Sequence, residues 1–308
     1  MTPRVSGGAS VAARPRRAIR QKDWAPYVFL APVLVFFVVF FLLPMGFSLF
    51  LTFTRWNGLS APDWVGLDNF SFILQDPGFR RSLVNTLMFA AGTVFLGIPL
   101  ALLIAFTFTQ SRFRGLWRSV YWLPMITNVV AIAYLWQFIL DGRYGLFNRV
   151  LGVFGVVGPD WLSNPAYAMW AVIIVAIWTG LGANMLIFSA GLEGIDGSYT
   201  EAAQVDGATL WQSFWNVTLP LLRPTLLFVT VTSFISGMGA FDLVLALTNG
   251  TGGPAGSTSV AAFYMYQTAF EDLRLGRASA AAFVLFVVIF VLTLLQLRFF
   301  RRGGVEAY

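Results

Sequence analysis

The sequence predicts an all-α membrane protein whose chain crosses the bilayer as six helices. Of its 308 residues, 57% are hydrophobic and only 11% are charged, with a mean hydropathy of +0.73, whereas soluble domains carry about 25% charged residues. Six apolar runs of about 20 residues or more are each long enough to span the hydrocarbon core as a helix. Lipid cannot satisfy the backbone polar groups of open strands or loops, so every span is expected to be helical.

Two polar tails flank the predicted membrane domain. Residues 1–26 form a basic tail, residues 27–302 the six-span domain, and residues 303–308 the C-terminal tail. The first apolar run is too long for a cleaved signal peptide, whose hydrophobic core has about 7–15 residues, so an uncleaved first span is expected. The predicted spans are 27–53, 83–108, 117–140, 166–192, 221–247 and 278–300.

The distribution of arginine and lysine predicts the orientation of the spans. An even number of spans leaves both termini on one side, whose segments hold thirteen of these residues against seven on the other side. Positive residues favour the cytoplasmic side, so both termini are predicted to be cytoplasmic. The outer loops 54–82 and 141–165 are expected to form short interfacial helices, and the Gly-rich start of the loop 248–277 to form turns.

Several functions are excluded by residues that the sequence lacks. The chain has no cysteine and no histidine, which removes thiol and imidazole catalysis, disulfides, and zinc or haem sites of the usual kinds. Its single lysine, Lys22, lies in the basic tail, so the chain has no GxxxxGK[ST] phosphate-binding loop. If ATP drives the protein, another chain hydrolyses it. The net charge of +6 does not indicate nucleic acid, because the basic residues cluster at the ends of the spans.

Asp242 is the only carboxylate within a predicted span. Measured from the inner end of the fifth span, it lies about 30 Å along the helix, near the outer interface. An outer gate is therefore a better interpretation of Asp242 than a buried proton relay. The lack of deeper charges argues against coupling to protons or sodium, because such relays commonly use intramembrane acidic residues or histidine.

One polar segment, residues 198–224, interrupts the apolar pattern between the fourth and fifth predicted spans. Ser198 with Glu201, and Thr209 with Gln212, have the spacing of a capping box at a helix start. Asp206-Gly207 is a turn dipeptide between them, and Pro220 and Pro224 are expected to end the second helix or begin the next. The segment predicts a hairpin of two short helices. An ordinary loop, in which Glu201 only caps its helix, is the alternative.

The hairpin resembles a loop of a known family. Glu201-Ala202-Ala203, then Asp206-Gly207-Ala208, Phe214, Leu219-Pro220 and Pro224 resemble the Glu-Ala-Ala loop of binding-protein-dependent ABC importer permeases. The resemblance covers about residues 28–302, on the side of the maltose-type carbohydrate permeases that includes the first permease of the glycerol-3-phosphate importer. The further matching motifs are Gly66-Leu67-Asp68-Asn69-Phe70, Asn85-Thr86, Leu123-Pro124, Trp136, Gly145-Leu146-Phe147-Asn148, Ala190-Gly191-Leu192, Phe241-Asp242, Leu247-Thr248, Gly252-Gly253-Pro254 and Gly276-Arg277-Ala278-Ser279-Ala280.

The resemblance implies a type I ABC importer permease fold with cytoplasmic coupling helices, in a multi-pass protein of a prokaryotic cell membrane. The implied partners are a second homologous permease, an ATP-binding cassette ATPase dimer that carries ATP and Mg²⁺, and an extracytoplasmic binding protein that delivers a sugar. Unlike the best-known maltose permease, the chain has six predicted spans rather than eight and no large outer insertion. The residues implied to couple to the ATPase are Glu201, Ala202, Ala203, Asp206, Gly207, Phe214, Leu219 and Pro220.

The second hairpin helix has one apolar face, because Leu210, Phe214 and Val217 follow at i, i+4 and i+7. This face can pack under the membrane domain or into the ATPase, and the sequence leaves both open.

Candidates for the substrate pathway are polar, small or aromatic residues within the predicted spans. Such residues line a cavity or pack helices together, and packing is the more frequent role of any single one. Aromatic rings beside hydroxyl and amide groups suit a sugar. Ser236-Gly237-Met238-Gly239 is the expected place for close helix approach or local unwinding. The candidates are Asn128, Trp136, Trp178, Thr179, Asn184, Thr232, Ser233, Ser236, Gly237 and Gly239.

The sequence thus predicts the permease subunit of an ATP-driven sugar importer, with no bound cofactor, metal or catalytic residues of its own. A stand-alone secondary transporter or channel for a small polar solute is the alternative, although the coupling charges or complete pore that it requires are not evident. A membrane-embedded enzyme is a third option, for which no catalytic constellation is found.

Overall fold

The computed structural model describes residues 25–109 and 111–302, and these are mostly helical. The C-terminal tail predicted at 303–308 and all but the last two residues of the predicted basic tail lie outside the described residues. The chain divides between Phe47 and Ser48 into two units. In the first unit, phenylalanine rings one turn apart on the helix pack together, with 4.6 Å between the ring centroids of Phe36 and Phe40.

The helices of the described residues range from 3 to 29 residues in length. In chain order, those of the described residues are α1 (Ala25–Phe37), α2 (Leu43–Leu51), α3 (Asp68–Gln75), α4 (Pro77–Gly92), α5 (Ile98–Thr109), α6 (Arg114–Ile126), α7 (Val129–Ile139), α8 (Leu146–Val153), α9 (Pro165–Glu193), α10 (Gly197–Val205), α11 (Leu210–Ser213), α12 (Leu219–Leu221), α13 (Arg223–Met238), α14 (Asp242–Leu247), α15 (Ala261–Tyr266) and α16 (Leu275–Arg302). Single π-helical turns connect α1 to α2, α4 to α5 and α11 to α12.

Four of the predicted spans are uninterrupted helices. The described residues contain four helices long and apolar enough to cross a membrane: Tyr27–Leu51, Pro77–Thr109, Pro165–Glu193 and Leu275–Phe300. The second begins earlier than predicted, because the Asp76 carboxylate caps it by accepting a 2.8 Å hydrogen bond from the Phe79 N–H. Pro77 then fits the first turn, where no backbone donor is needed.

The other two predicted spans are helix pairs bent at a break, so the described residues hold four continuous candidate spans, or six if each bent pair is one span. Helices α6 and α7 meet at an angle of 100°, at Asn128, whose extended backbone cannot continue a helix and whose side chain caps α7. Helix α13 ends at Gly239, short of the predicted end of the fifth span, and is bent by 70° from the preceding helical segment Leu210–Leu221. Its 16 residues reach only about 24 Å, less than the hydrocarbon core.

The segments predicted to form the outer loops contain a short β-ladder and short helices. Thr54–Arg55 (β1) and Asp63–Trp64 (β2) pair as a short antiparallel ladder, a departure from the all-α prediction. Asn69 fixes this ladder to α3, because its buried amide donates to the carbonyls of Thr52 and Thr54 at 3.0 and 2.8 Å. Helices α3 and α8 are the short helices expected in the first two outer loops.

Helix α9 is the central helix of the second unit. Its buried side chains contribute to both large apolar clusters, one with α5 and α13 and one with α7 and α14. Gly182 brings it close to α6, since a Cβ on Gly182 would collide with the backbone carbonyl of Tyr121. Small residues permit this kind of close backbone contact between membrane helices.

Candidate functional site

The polar segment forms the predicted hairpin, but its first helix begins differently. Helix α10 starts at Gly197 because the Asp196 carboxylate caps it, accepting a hydrogen bond of 2.9 Å from the Ser198 N–H. This bond is the main cause of the lowered pKa of Asp196. The capping box predicted for Ser198 and Glu201 is therefore wrong, because a better cap lies two residues upstream of Ser198.

Glu201 lies within α10 with an exposed side chain. It makes no hydrogen bond or ion pair with any other residue that the structure describes, so Glu201 does not cap its helix. Ala202 is exposed and Ala203 half-buried. The carboxylate and the adjacent methyl surface are accessible to another protein.

The turn between the two hairpin helices is set by Gly207. Its φ of +83° lies in the left-handed region, which glycine adopts without steric cost. The Ala208 N–H donates to the Ala203 carbonyl at 2.9 Å and the Gly207 N–H to the Gln204 carbonyl at 3.0 Å. This is the Schellman arrangement that closes helix C-termini, with Asp206 as the C-cap residue.

The second hairpin helix starts at the predicted capping box, which the structure confirms: Thr209 and Gln212 each bond the other's backbone. Its apolar face is divided. Leu210 is exposed, whereas Phe214 is only 7% exposed and packs edge-on against Phe106 of α5, with 4.7 Å between ring centroids. Phe214 thus packs on the membrane domain.

The remaining hairpin residues connect it to α13. Leu219 is half-buried against the same apolar cluster as Phe214, and Pro220 is half-buried next to it. Pro224 occupies the first turn of α13, as predicted. The hairpin therefore leads into α13 without an intervening loop.

A cavity of about 390 Å³ lies between α4, the π-helical turn that follows α4, α9 and α13, and its mostly apolar walls carry several hydroxyl and amide groups. It brings together five of the predicted pathway residues: Asn184, Thr232, Ser233, Ser236 and Gly237. The Ser233 hydroxyl donates to Asn184 Oδ1 at 3.4 Å. A Cβ on Gly237 would lie 3.0 Å from Ala90 Cα, so this glycine is a point of close helix approach.

The other predicted pathway residues lie outside this cavity. Trp136 of α7 and Trp178 of α9 form an edge-to-face pair with 5.6 Å between ring centroids, and Trp136 Nε1 is buried with no hydrogen-bond partner in the described chain. Asn128 caps α7, and the Thr179 hydroxyl bonds the Ala176 carbonyl within α9. Gly239 ends α13, which confirms the unwinding expected there.

The predicted outer gate, Asp242, does not lie within a long helix. It is an exposed residue at the start of the short helix α14, after the break that follows α13. The expectation of a carboxylate inside the fifth span is wrong for this reason.

Sequence analysis missed the contribution of the second span to the cavity. Thr93 and Gly97, four residues apart in the π-helical turn between α4 and α5, line it, as does Gly180 on α9. The sequence signal that indicates such a wall is the small size of Thr93 and Gly97 together with their spacing of four residues, which places them on one face of a helix.

A bundle of apolar helices around a cavity that carries hydroxyl and amide groups, joined to a polar hairpin, is typical of a membrane transport component. Residues 97–303 match the model of the family described as the binding-protein-dependent transport system inner membrane component. The chain belongs to this family, so it is a multi-pass inner membrane protein and a transport component rather than an enzyme.

Relatives over nearly the whole chain agree with this family. The probable ABC transporter permease YesP of Bacillus subtilis is 36% identical, over 94% of this chain and 95% of that protein. The lactose transport system permease LacF of Rhizobium radiobacter is 34% identical, over 90% of this chain and 94% of that protein. A chain in the crystal structure of a bacterial alginate ABC transporter, in complex with an alginate pentasaccharide-bound periplasmic protein, is 25% identical with a TM-score of 0.79, over 93% and 97%.

Proposed function

We propose that this chain is one half of the translocation pathway of an ATP-driven sugar importer, with the cavity around Asn184 and Ser233 as part of the route. The cavity is the observation that carries the proposal, because it offers hydroxyl and amide groups to a polar solute between the spans. The relatives named for lactose and alginate transport support a sugar as the solute.

The hairpin is the coupling element in this proposal. The exposed carboxylate of Glu201 has no partner within the described chain and is available to a basic residue of an ATPase subunit. The buried contact of Phe214 with Phe106 transmits a movement of the hairpin to α5. Helix α13 follows the hairpin directly and carries Ser233 and Ser236 on the cavity wall, so the same movement reshapes the cavity.

The partners follow from what this chain lacks. It has no phosphate-binding loop, so a separate ATPase dimer binds ATP and Mg²⁺ and closes against the hairpin, which in the predicted topology is cytoplasmic. A second, homologous permease completes the pathway, and an extracytoplasmic binding protein delivers the sugar.

Co-purification and reconstitution test this proposal. Mild extraction of the tagged chain from its native membrane is expected to yield an ATPase with a phosphate-binding loop and a second permease. In proteoliposomes supplied with the importer's binding protein, uptake of uncharged oligosaccharides should require ATP. Glu201→Gln should abolish uptake and leave assembly intact, whereas Glu271→Gln, a matched change in an exposed outer carboxylate, should not.

Asn184→Leu, which removes an amide from the cavity at similar volume, should lower uptake while the ATPase still assembles. Solute movement by the isolated chain without ATP would refute the proposal and favour a stand-alone transporter.

A further inference from the structure

A second polar cavity, of about 610 Å³, lies at the other end of α7 from its break. It is on the outer side in the predicted topology. Three distant segments form its walls: the end of α7, the turn before α9, and the loop that follows α14. The polar groups that face it include Gln137, Asp141, Asp160, Ser163, Thr248 and Asn249.

Some of these polar groups are occupied by the fold. The Gln137 amide donates to the Leu247 carbonyl at 2.9 Å and to Asn249 Oδ1 at 3.2 Å. The Asp141 carboxylate accepts from the backbone N–H groups of Arg143 and Tyr144 at 2.9 and 2.7 Å. These contacts fix the cavity walls.

Other groups remain available to a ligand. The side chains of Asp160 and Ser163 make no hydrogen bond with another described residue, and Asn249 uses its oxygen, which leaves its N–H₂ group to donate. Gly142 allows the close approach of Asp160, because a Cβ there would lie 3.0 Å from Asp160 Cγ. An acceptor carboxylate, a hydroxyl and an amide donor therefore face one space.

The loop wall is held in a defined conformation. Asn249 has a φ of +50°, which asparagine tolerates better than most residues. Farther along the loop, the Asn85 amide donates to the carbonyls of Gly256 and Ser259 at 3.1 and 2.9 Å. The Arg81 guanidinium donates to the Ala255 carbonyl at 3.0 Å. These hydrogen bonds hold the loop against α4 and limit the movement of its wall of the cavity.

The outer cavity adjoins the segment before α9, and the inner cavity adjoins the second half of α9. Asp160 and Ser163 precede this helix, Trp178 lies on it, and Asn184 follows one and a half turns later in the inner cavity. On the facing helix α7, Gln137 is next to Trp136, which contacts Trp178. In sequence order along α9 and the segment before it, the residues of the outer cavity come first, then Trp178 of the tryptophan pair, and then Asn184 of the inner cavity.

We propose that the outer cavity is a subsite that takes up an uncharged sugar after its release from the binding protein and before it reaches the inner cavity. Asp160 accepts hydrogen bonds from sugar hydroxyls, and Ser163 and Asn249 donate to sugar oxygens. The carboxylates of Asp141 and Asp160 repel an acidic sugar or a polyol phosphate. This inference rests on the proposed function and narrows its substrate class to uncharged sugars.

The ratio of sugar transported to ATP hydrolysed tests the subsite in the assembled importer. The probe is a mixture of radiolabelled lactose, maltotriose and arabinotriose, supplied with saturating binding protein. Loss of one hydrogen-bonding group in Asp160→Asn or Asn249→Ala is expected to lower this ratio about tenfold. The concentration of binding protein that half-saturates the ATPase should not change, whereas a misfolded outer face would raise it.

The absence of cysteine from the chain allows a second measurement on the same complex. Ser163→Cys, modified with a membrane-impermeant methanethiosulfonate that adds a sulfonate, should lose uptake and keep its ATPase activity. Ser71→Cys is the matched control, because Ser71 is exposed on α3 and lines none of the cavities described here; its modification should change neither.

One set of results would overturn the subsite alone, and another result would overturn the proposed function as well. The subsite alone would be refuted if Asp160→Asn, Asn249→Ala and modified Ser163→Cys all transported as much sugar per ATP as the wild type. Uptake of an alginate trisaccharide equal to that of the uncharged sugars would also refute it. If the wild-type complex showed no ATP-dependent uptake of the mixture, both the subsite and the proposed function would be wrong.

Discussion

Arg118 Nη2 lies 2.6 Å from Glu193 Oε1, which joins α6 to the last residue of α9. Arg114, one turn earlier on α6, is 3.7 Å from the same carboxylate oxygen. Helix α10 of the hairpin begins four residues after Glu193. The carboxylate therefore links the broken third span to the helix that leads into the hairpin.

The ion pair predicts a small, local contribution to stability. Glu193 is 41% and Arg118 30% exposed at the side chain, and ion pairs of this kind contribute about 0.2–1 kcal/mol. Glu193→Gln should lower the free energy of unfolding by an amount in this range, measured by thermal unfolding in detergent. Because both substitutions remove the same ion pair, the variant that carries Glu193→Gln and Arg118→Gln together should be only slightly less stable than Glu193→Gln alone.

Glu201→Gln is the matched control for this prediction, because Glu201 has no partner in the described chain. It should leave the unfolding midpoint unchanged and yet abolish ATP-coupled uptake. Equal destabilisation by the two substitutions would contradict the distinction between a structural and a coupling carboxylate.

Phe214 predicts a larger effect on the hairpin. Its ring is buried against Phe106, and truncation of a buried phenylalanine costs about 3–5 kcal/mol in water-soluble proteins. Phe214→Ala should therefore lower thermal stability strongly and detach the hairpin from α5. Limited proteolysis between α10 and α11 measures the detachment.

The neighbouring Trp215 is 59% exposed and provides the control. Trp215→Ala should be cleaved at the wild-type rate in the same assay. Equal cleavage of the two variants would mean that the contact between Phe214 and Phe106 does not hold the hairpin.

The parts of the fold that the sequence predicted are those determined by local chemistry. Four spans are long apolar runs, and the turn at Gly207 and the capping box at Thr209 are short-range patterns. The break at Asn128 was missed because it lies inside a run whose overall hydropathy remains high, whereas the break at Gly239 was expected from the small residues around it. A helix can be interrupted there because the break is compensated by caps and a cavity, which depend on the fold.

The sequence also predicted individual residues of the candidate site better than the contacts between them. Polar side chains near mid-membrane can be identified from the sequence as candidates. Asn184 and Ser233 are 49 residues apart, however, and their contact exists only in the folded chain. Phe214 illustrates the remaining gap, since an apolar face at helical spacing does not specify which surface covers it. The outer cavity was missed because two of its three walls are loop segments without periodicity.

Gly207 predicts that the hairpin tolerates no larger residue at its turn. Its φ of +83° costs residues with a Cβ about 1–2 kcal/mol, and more for β-branched ones. Gly207→Val should reorient α10 relative to α11 and prevent the ATPase from co-purifying.

Gly197→Ala is the matched change at the other end of α10, where the added Cβ meets nothing within 4 Å. It should leave ATPase binding and uptake at wild-type levels. Normal ATPase binding by Gly207→Val would show that the shape of the turn is not required for coupling.

Gly237 predicts a packing limit between α13 and α4. An added Cβ would lie 3.0 Å from Ala90 Cα and 3.2 Å from Ala90 Cβ, closer than these backbones can accommodate without moving apart. Overpacking of this kind costs about 1–3 kcal/mol, so Gly237→Val should lower the unfolding midpoint and reduce uptake.

Gly180 separates packing from the size of the cavity, because it lines the same cavity and its added Cβ would meet nothing within 4 Å. Gly180→Ala should retain the wild-type unfolding midpoint while narrowing the cavity, so any loss of uptake in this variant comes from the route itself. If Gly237→Val were as stable as Gly180→Ala, the close approach of α13 to α4 would not be required by the fold.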